Sequence, residues 1–252
     1  MVKPFSDSPS LSIVIPLYNE EQRLENCFYN VEQLMEKIPH LELIFVNDGS
    51  SDNTEKALLE YQKMSWVSVL SQAHLGKGAA IRLGLTKAKA ERVLICDVDW
   101  SVSPHWVPKM LSDPSDVVIA VREGHGARRI AEPIWRHLLG RAFNHYVQWV
   151  ALSGHQDTQC GCKLLNRKAV SCLGPILKTN GWAFDVELLA LSHINGLWVS
   201  EVPVAWTYDS DSRIRPFRDS LEMAIDVYKL RKRLRRGPTM SSSIPSHPQS
   251  VK

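Results

Sequence analysis

Residues 92–103 read RVLICDVDWSVS, an apolar run that stops on two aspartates one residue apart, Asp97 and Asp99. The apolar part has the length and branching of a buried strand, and alternate side chains of an extended chain point to the same side. Two carboxylates on one side of a strand end repel each other unless a cation lies between them or one keeps its proton. Such oxygen donors suit Mg2+ or Mn2+, commonly held by one or two carboxylates plus the phosphates of a substrate. The same residues also read as an aspartate turn followed by a helix cap near Ser103-Pro104.

The strand pattern repeats on either side. LSIVIP (11–16), ELIFVN (42–47), WVSVLS (66–71) and DVVIAV (116–121) are further apolar runs separated by amphipathic segments. Helical spacing over about 20–37 aligns Leu24, Cys27, Phe28, Val31, Leu34 and Met35. Ser50-Ser51-Asp52 offers N-cap chemistry for a helix through Leu58, Leu59 and Met64. Continuous apolar strands joined by helices predict an α/β fold with an open, mostly parallel sheet flanked by helices. Ligands of such sheets bind beyond the carboxyl ends of the strands. Tyr18-Asn19-Glu20, Asn47-Asp48-Gly49, the Ala73–Gly78 loop and Asp97–Asp99 all follow strand ends, so they are expected on one rim.

The second half is less regular. PIWRHLLGRAFNHYVQWVAL (133–152) predicts an amphipathic helix opened by Pro133. Residues 155–166 end in a short strand, 181–194 are helical, WVSEVPVAW (198–206) is a strand, and about 216–236 form a helix. That last helix ends in KLRKRLRR (229–236), where six of eight residues are basic. Arg122, Arg128, Arg129 and Arg136 share a stretch with Gly124 and Gly126. It reads either as a solvated loop or as a mobile one whose guanidiniums grip phosphate oxygens. Asp157, after His155-Gln156, reads as a general base, a substrate-orienting carboxylate or a turn residue.

Composition narrows the class. A chain of 252 residues with 44% hydrophobic side chains can bury a full core, and a net charge of +3 does not point to nucleic acid. Five cysteines without paired CxxC spacing read as reduced thiols of a cytosolic protein, and Cys160-Gly161-Cys162 lacks the second pair of a zinc site. MVKPFSDSPS shows no secretory signal, and no apolar run approaches the roughly 20 residues of a membrane span. Gly76-Lys77-Gly78 fits neither GxxxxGK[ST] nor GxGxxG, which argues against a P-loop ATPase and an ordinary dinucleotide dehydrogenase.

Seven stretches in order, LSIVIPLYNEE, VNDGSSDNT, GKGAAIRLGL, CDVDWS, QDTQCGCKLL, GWAFDVELL and EVPVAW, make the chain resemble the family 2 inverting glycosyltransferases with the GT-A fold, over about residues 10–230. The last three are similar to polyprenyl-phosphate glycosyltransferases, and DTQCG followed by KLL lies closer to dolichyl-phosphate glucose synthases than to the mannose enzymes. The resemblance implies that Pro16, Tyr18, Glu20, Asn47, Asp48 and Lys77 line a nucleotide pocket. It implies that Asp97 and Asp99 hold Mg2+ or Mn2+ on the diphosphate, and that Arg122 belongs to a loop closing over donor phosphates. Arg136 would meet the acceptor's phosphate, and Asp157 would lie near the anomeric carbon.

Three features depart from the family pattern. Trp100 stands where many relatives carry a small residue, with Ser101 after it; Asn47 replaces an acid in VNDG; and the C-terminal membrane spans of many relatives are missing. The implied partition is a flexible 1–10, one GT-A domain at 11–236 and a disordered tail at 237–252. Within the domain, about 11–122 would bind nucleotide and about 123–236 would face acceptor and membrane.

The implied activity is transfer of a sugar, glucose foremost, from a UDP-sugar to a polyprenyl phosphate in one inverting displacement. GDP-mannose as donor, or a polysaccharide or soluble acceptor, are the alternatives. Helix 133–152 would lie in the membrane interface, presenting Trp135, Leu138, Leu139, Phe143, Tyr146, Val147, Trp149 and Val150, with 229–236 adding attraction to anionic lipid. That places the protein on the cytoplasmic face of a membrane as a peripheral enzyme, alone, as a homo-oligomer or with an anchoring subunit.

Overall fold

In the computed structural model, which describes residues 8–152, 154–209 and 216–236, seven strands form the central sheet. They are β1 (Leu11–Leu17), β2 (Leu41–Asp48), β3 (Val67–Gln72), β4 (Arg92–Ile95), β5 (Val117–Val121), β7 (Lys163–Asn166) and β8 (Val199–Pro203), in the order β3-β2-β1-β4-β7-β5-β8. β6 (Arg128–Ile130) and β9 (Ala205–Thr207) pair as a separate two-stranded ribbon. β1 is parallel to both β2 and β4, so the chain leaves β1 toward one edge, returns, and continues on the other side. That reversal creates a crevice at the carboxyl ends of β1 and β4. β7 runs antiparallel between β4 and β5, and β5 is parallel to β8. The sheet is therefore mostly parallel, and it spans both halves of the chain.

Alternation along the strands sorts the core into two layers. Ile13, Ile15, Leu43 and Phe45 face α1 (Leu24–Met35), whose Cys27, Phe28 and Val31 complete that layer. Val14, Ile44, Val46 and Ile95 face α3 (Lys77–Lys87) and α7 (Phe184–Ile194). α3 lies so close that a Cβ on Gly84 would sit 2.3 Å from Val14 Cγ1. α2 (Thr54–Tyr61), the five-residue α4 (Val107–Leu111) and α6 (Arg167–Leu173) complete the flanking layers. α5 (Ile134–Val150) and α8 (Pro216–Arg236) form a third cluster, with Phe143, Val147 and Val150 packed on Ala183, Val186, Val227 and Leu230.

Several expectations are adjusted. The first helix opens with a 3-10 turn, Glu21–Arg23. The strand expected at 198–206 divides, because after Pro203 the chain leaves β5 and pairs with β6 instead. The arginine-glycine stretch after Val121 is not wholly a loop, since Arg128–Ile130 is a strand. The apolar residues of α5 do not all face outward: Phe143, Val147 and Val150 are buried, because α8 covers their stripe. The basic run is partly spent on the fold, with Arg233 paired to Glu187 and Leu230 in the core.

All five cysteines are free thiols, and only Cys172 is not fully buried. Among the described residues no helix is long and apolar enough to cross a membrane. The expected tail, 237–252, and most of the expected flexible N-terminus lie outside the described residues.

Candidate active site

β4 ends at Ile95, and the next residues turn tightly: the Trp100 N–H donates to the Asp97 carbonyl at 3.2 Å. Trp100 takes φ +47°, a left-handed value costly for a bulky side chain, and its buried indole is seated in the core. Asp99 accepts from the Ser101 N–H at 3.0 Å and from its hydroxyl at 2.7 Å. Asp97 Oδ1 meets Lys77 Nζ at 2.6 Å. Its other oxygen is packed on Gly161, where a Cβ would lie 1.8 Å away. Burial pushes both carboxyls upward; for Asp97 the charge and hydrogen bond of Lys77 win, and it sits below its ordinary value. Asp99 stays above its ordinary value, through burial first and the charge of Asp97 second. Against the cost of burying its ammonium, Lys77 is held above the usual lysine range by Asp97.

The neighbouring rim is built by side chains that bind backbone. Asp48 is buried and accepts from the N–H groups of Leu75 (2.9 Å) and Gly76 (2.8 Å), from Gln72 Nε2 (2.6 Å), and meets His74 Nδ1 (2.8 Å). Its carboxylate thus shapes the loop that delivers Lys77; Gly76, at φ +110°, is the residue that permits the turn. Asn47 Oδ1 accepts from the Ser50 N–H at 3.1 Å, and Glu20 pairs with Arg23 at 3.3 Å. The Tyr18 ring stacks on His74, 3.9 Å between centroids, and Pro16 stands beside Val46 in the sheet.

Across the crevice, Arg122 follows the end of β5 and grips Asp157 with both arms: Nε donates to Oδ2 at 2.6 Å and an Nη to Oδ1 at 2.9 Å. The N–H groups of Arg122 and Gln159 add two more bonds, each 3.1 Å. Burial opposes ionisation of Asp157, but this partner set holds its carboxyl well below the usual range. Arg122 also lies 5.3 Å over Trp206. These contacts set Arg122 into the wall of the crevice. Arg136, on α5, rests 5.0 Å over Tyr208 and donates to its hydroxyl at 3.3 Å.

Two of the cavities in this region reach the aspartates. One of about 190 Å³ is lined by Lys77, Asp97, Asp99, Gly161, Trp182 and Asp185. The other, about 340 Å³, lies along α5 between Arg141, His145, Gln148 and Asp157. Arg122, Glu132, Arg136 and Gln159 line both, so the two join. The structure thus brings Lys77, Asp97, Asp99, Arg122 and Arg136 to one cavity and Asp157 to the adjoining one; Pro16, Tyr18, Glu20, Asn47 and Asp48 line neither, though Asp48 and Tyr18 contact the loop that carries Lys77. Sequence reading passed over His74, Gln159, Trp182, Asp185, Trp206 and Tyr208. Trp182, Asp185 and Trp206 lie inside the motif stretches GWAFDVELL and EVPVAW, Gln159 inside QDTQCG and His74 inside the Ala73–Gly78 loop, so a positional signal existed; Tyr208 had none.

Residues 12–174 match glycosyl transferase family 2. The chain is 33% identical to the dolichyl-phosphate beta-glucosyltransferase of Homo sapiens over 251 residues, covering 90% of this chain and 77% of that one. It is 30% identical to the Saccharomyces cerevisiae protein of the same name over 246 residues, covering 88% and 74%. Among solved structures, a Pyrobaculum calidifontis mannosyltransferase in complex with GDP-Man and Mn2+ superimposes with a TM-score of 0.63 at 20% identity, covering 93% of this chain and 67% of that one. Glucosyl-3-phosphoglycerate synthase from Mycobacterium tuberculosis, in complex with Mn2+, UDP-glucose and phosphoglyceric acid, gives 0.63 at 18% identity, covering 88% and 78%. At such identities these structures speak to the fold alone.

Proposed function

Since this chain belongs to glycosyl transferase family 2, we propose that it moves glucose from UDP-glucose to the phosphate of a dolichol-type lipid, with inversion at C1. The observation that carries the reading is the junction of the two cavities. The first holds Asp97, Asp99, Asp185 and Lys77, the second holds Arg129, Arg141, His145 and amide side chains beside Glu123 and Asp157, and they meet at Arg122, Glu132, Arg136 and Gln159. A donor diphosphate with its cation suits the first, and an acceptor phosphate suits the second. Relatives named for glucosyl transfer to dolichyl phosphate supply the sugar and the acceptor.

The residues present fit a divalent ion. Asp97 and Asp99 are hard oxygen donors lining one cavity, and Asp99, raised by burial first and by the charge of Asp97 second, has no cationic side chain of its own in an ion pair among the described residues. Among the described residues no group of three or more His, Cys, Asp or Glu side chains is set to hold a metal, so the protein's share is this pair. When bound, Mg2+ or Mn2+ supplies positive charge beside the leaving diphosphate.

The chain's own residues do the rest. A phosphate monoester is already largely ionised at neutral pH, its second pKa being about 6 by analogy with phosphorylated side chains, so the nucleophile needs no strong base. Asp157 is correspondingly poor as one: a carboxyl held so low by Arg122 takes up a proton weakly. Its part is to fix the wall where acceptor and sugar meet. Arg136, whose guanidinium is steered by Tyr208, is the group for the acceptor phosphate.

The lipid arrives along α5 and α8. Ile134 (79% exposed), Trp135, Leu138 and Trp149 (78%) form an outward stripe on α5, and Leu221, Ile225 and Tyr228 form one on α8. Such stripes suit an interfacial position on a membrane. The test is transfer of radiolabel from UDP-glucose, UDP-N-acetylglucosamine and GDP-mannose to dolichyl phosphate, counted in the lipid extract. Label is expected from UDP-glucose foremost; label entering only water-soluble or polysaccharide products refutes the lipid acceptor.

A further inference from the structure

The cation that meets Asp97 in this structure is a lysine. We propose that Lys77 is an exchangeable counter-ion: it neutralises Asp97 while no metal is bound, and passes to the nucleoside diphosphate when a divalent cation takes its place. Metal and nucleotide would then bind cooperatively. The inference rests on the reading above that Asp97 and Asp99 hold the metal.

Four observations support an exchange. Lys77 holds Asp97 Oδ1 at 2.6 Å, and Gly161 leaves room beside the same carboxylate that a side chain would fill, so a metal approaching Oδ1 meets the ammonium. A dication and an ammonium on one oxygen repel each other, so one displaces the other. The other cations near Asp97 are committed elsewhere: Lys163 pairs with Asp185 at 2.6 Å, both buried, and Arg122 pairs with Asp157.

Lys77 also combines a fixed base with a movable tip. Its helix start is pinned to the segment before α7, with the Gly78 N–H donating to the Asn180 carbonyl at 2.6 Å and Arg82 to the Thr179 carbonyl at 2.6 Å. The side chain beyond has four rotatable bonds, and its ammonium lies 5.3 Å over the ring of Trp182, which lines the same cavity. It can swing into that cavity without moving the helix.

The experiment is a titration of Mn2+ by electron paramagnetic resonance on the full chain, with and without UDP, for wild type, Lys77→Met, Lys77→Arg and Asp97→Asn. In Lys77→Met, Mn2+ alone should bind about threefold tighter or more, and the enhancement of Mn2+ affinity by UDP should shrink about tenfold. Lys77→Arg, which keeps the charge, should restore most of the enhancement, and Asp97→Asn should lose Mn2+ binding. Equal or weaker Mn2+ binding in Lys77→Met, or an undiminished enhancement by UDP, overturns the exchange while leaving the metal site standing. Absence of Mn2+ binding by wild type even with UDP overturns the metal reading and the exchange together.

Discussion

At the end of β4, Asp97 meets a single lysine through one oxygen, on a side chain 39% exposed to the crevice. Beyond the end of β5, Arg122 takes both oxygens of Asp157, whose side chain is 4% exposed. The two ion pairs lie on opposite sides of one site and differ in kind. A one-point contact that reaches solvent can be traded for another cation at modest cost. A two-point contact out of water cannot, because losing one partner strands a buried charge. The crevice thus has an exchangeable wall and a fixed one, and a reaction that brings a metal and a diphosphate to one side while holding a phosphate on the other needs both.

The contrast is broken most severely on the exchangeable wall. Asp97→Asn and Asp99→Asn should each lower glucosyl transfer by about 10³-fold, the scale of losing charge stabilisation at a leaving group, with little change in melting temperature. Near-normal transfer by either variant removes the carboxylate pair from the mechanism. On the fixed wall the expected loss is stability. Arg122→Met should cost about 3–5 kcal/mol, and the double variant Arg122→Met/Asp157→Leu should recover much of it. Denaturant unfolding of the single and double variants measures this; a single variant as stable as wild type means that the pair is not a fixture.

How far these walls could be read in advance depends on the distance over which each feature is encoded. Strands such as β4 and β5 were legible because each is a continuous apolar run, and the carboxylate pair because Asp97 and Asp99 are two residues apart. The ion pairs were not, since Lys77 and Asp97, or Arg122 and Asp157, meet only once the strand register is set. Asp48 reads locally as a turn residue beside a ligand site, whereas its oxygens hold Leu75 and Gly76, residues from the next strand's loop. β6 was hidden by composition: a strand of two arginines and an isoleucine has no apolar signature and forms because β9 lies alongside. In α5 the sequence shows the apolar residues but not which of them α8 covers, so Phe143 and Trp149 looked alike although one is buried and the other exposed.

Acid sharpens the contrast further. The carboxyl of Asp157 is depressed in the folded state, so its pair contributes stability that is fully present above the ordinary aspartate value of about 3.9 and is lost as pH falls below it. Wild type should therefore lose stability on acidification below about pH 4 more steeply than Asp157→Asn. Parallel stability curves for the two proteins below that pH contradict the assignment. The smallest effect is expected away from both walls. Trp149→Ser, on the exposed stripe of α5, should weaken association with phospholipid vesicles about threefold to tenfold while leaving UDP binding unchanged. Flotation independent of that residue and of anionic lipid counts against the interfacial placement.

The most direct test is a crystal structure with Mn2+ and UDP. It should show anomalous density for the metal between Asp97, Asp99 and the diphosphate, with the Lys77 ammonium withdrawn from Asp97 and the Arg122–Asp157 pair unaltered. Metal density elsewhere, or Lys77 still on Asp97 beside a bound diphosphate, contradicts the account.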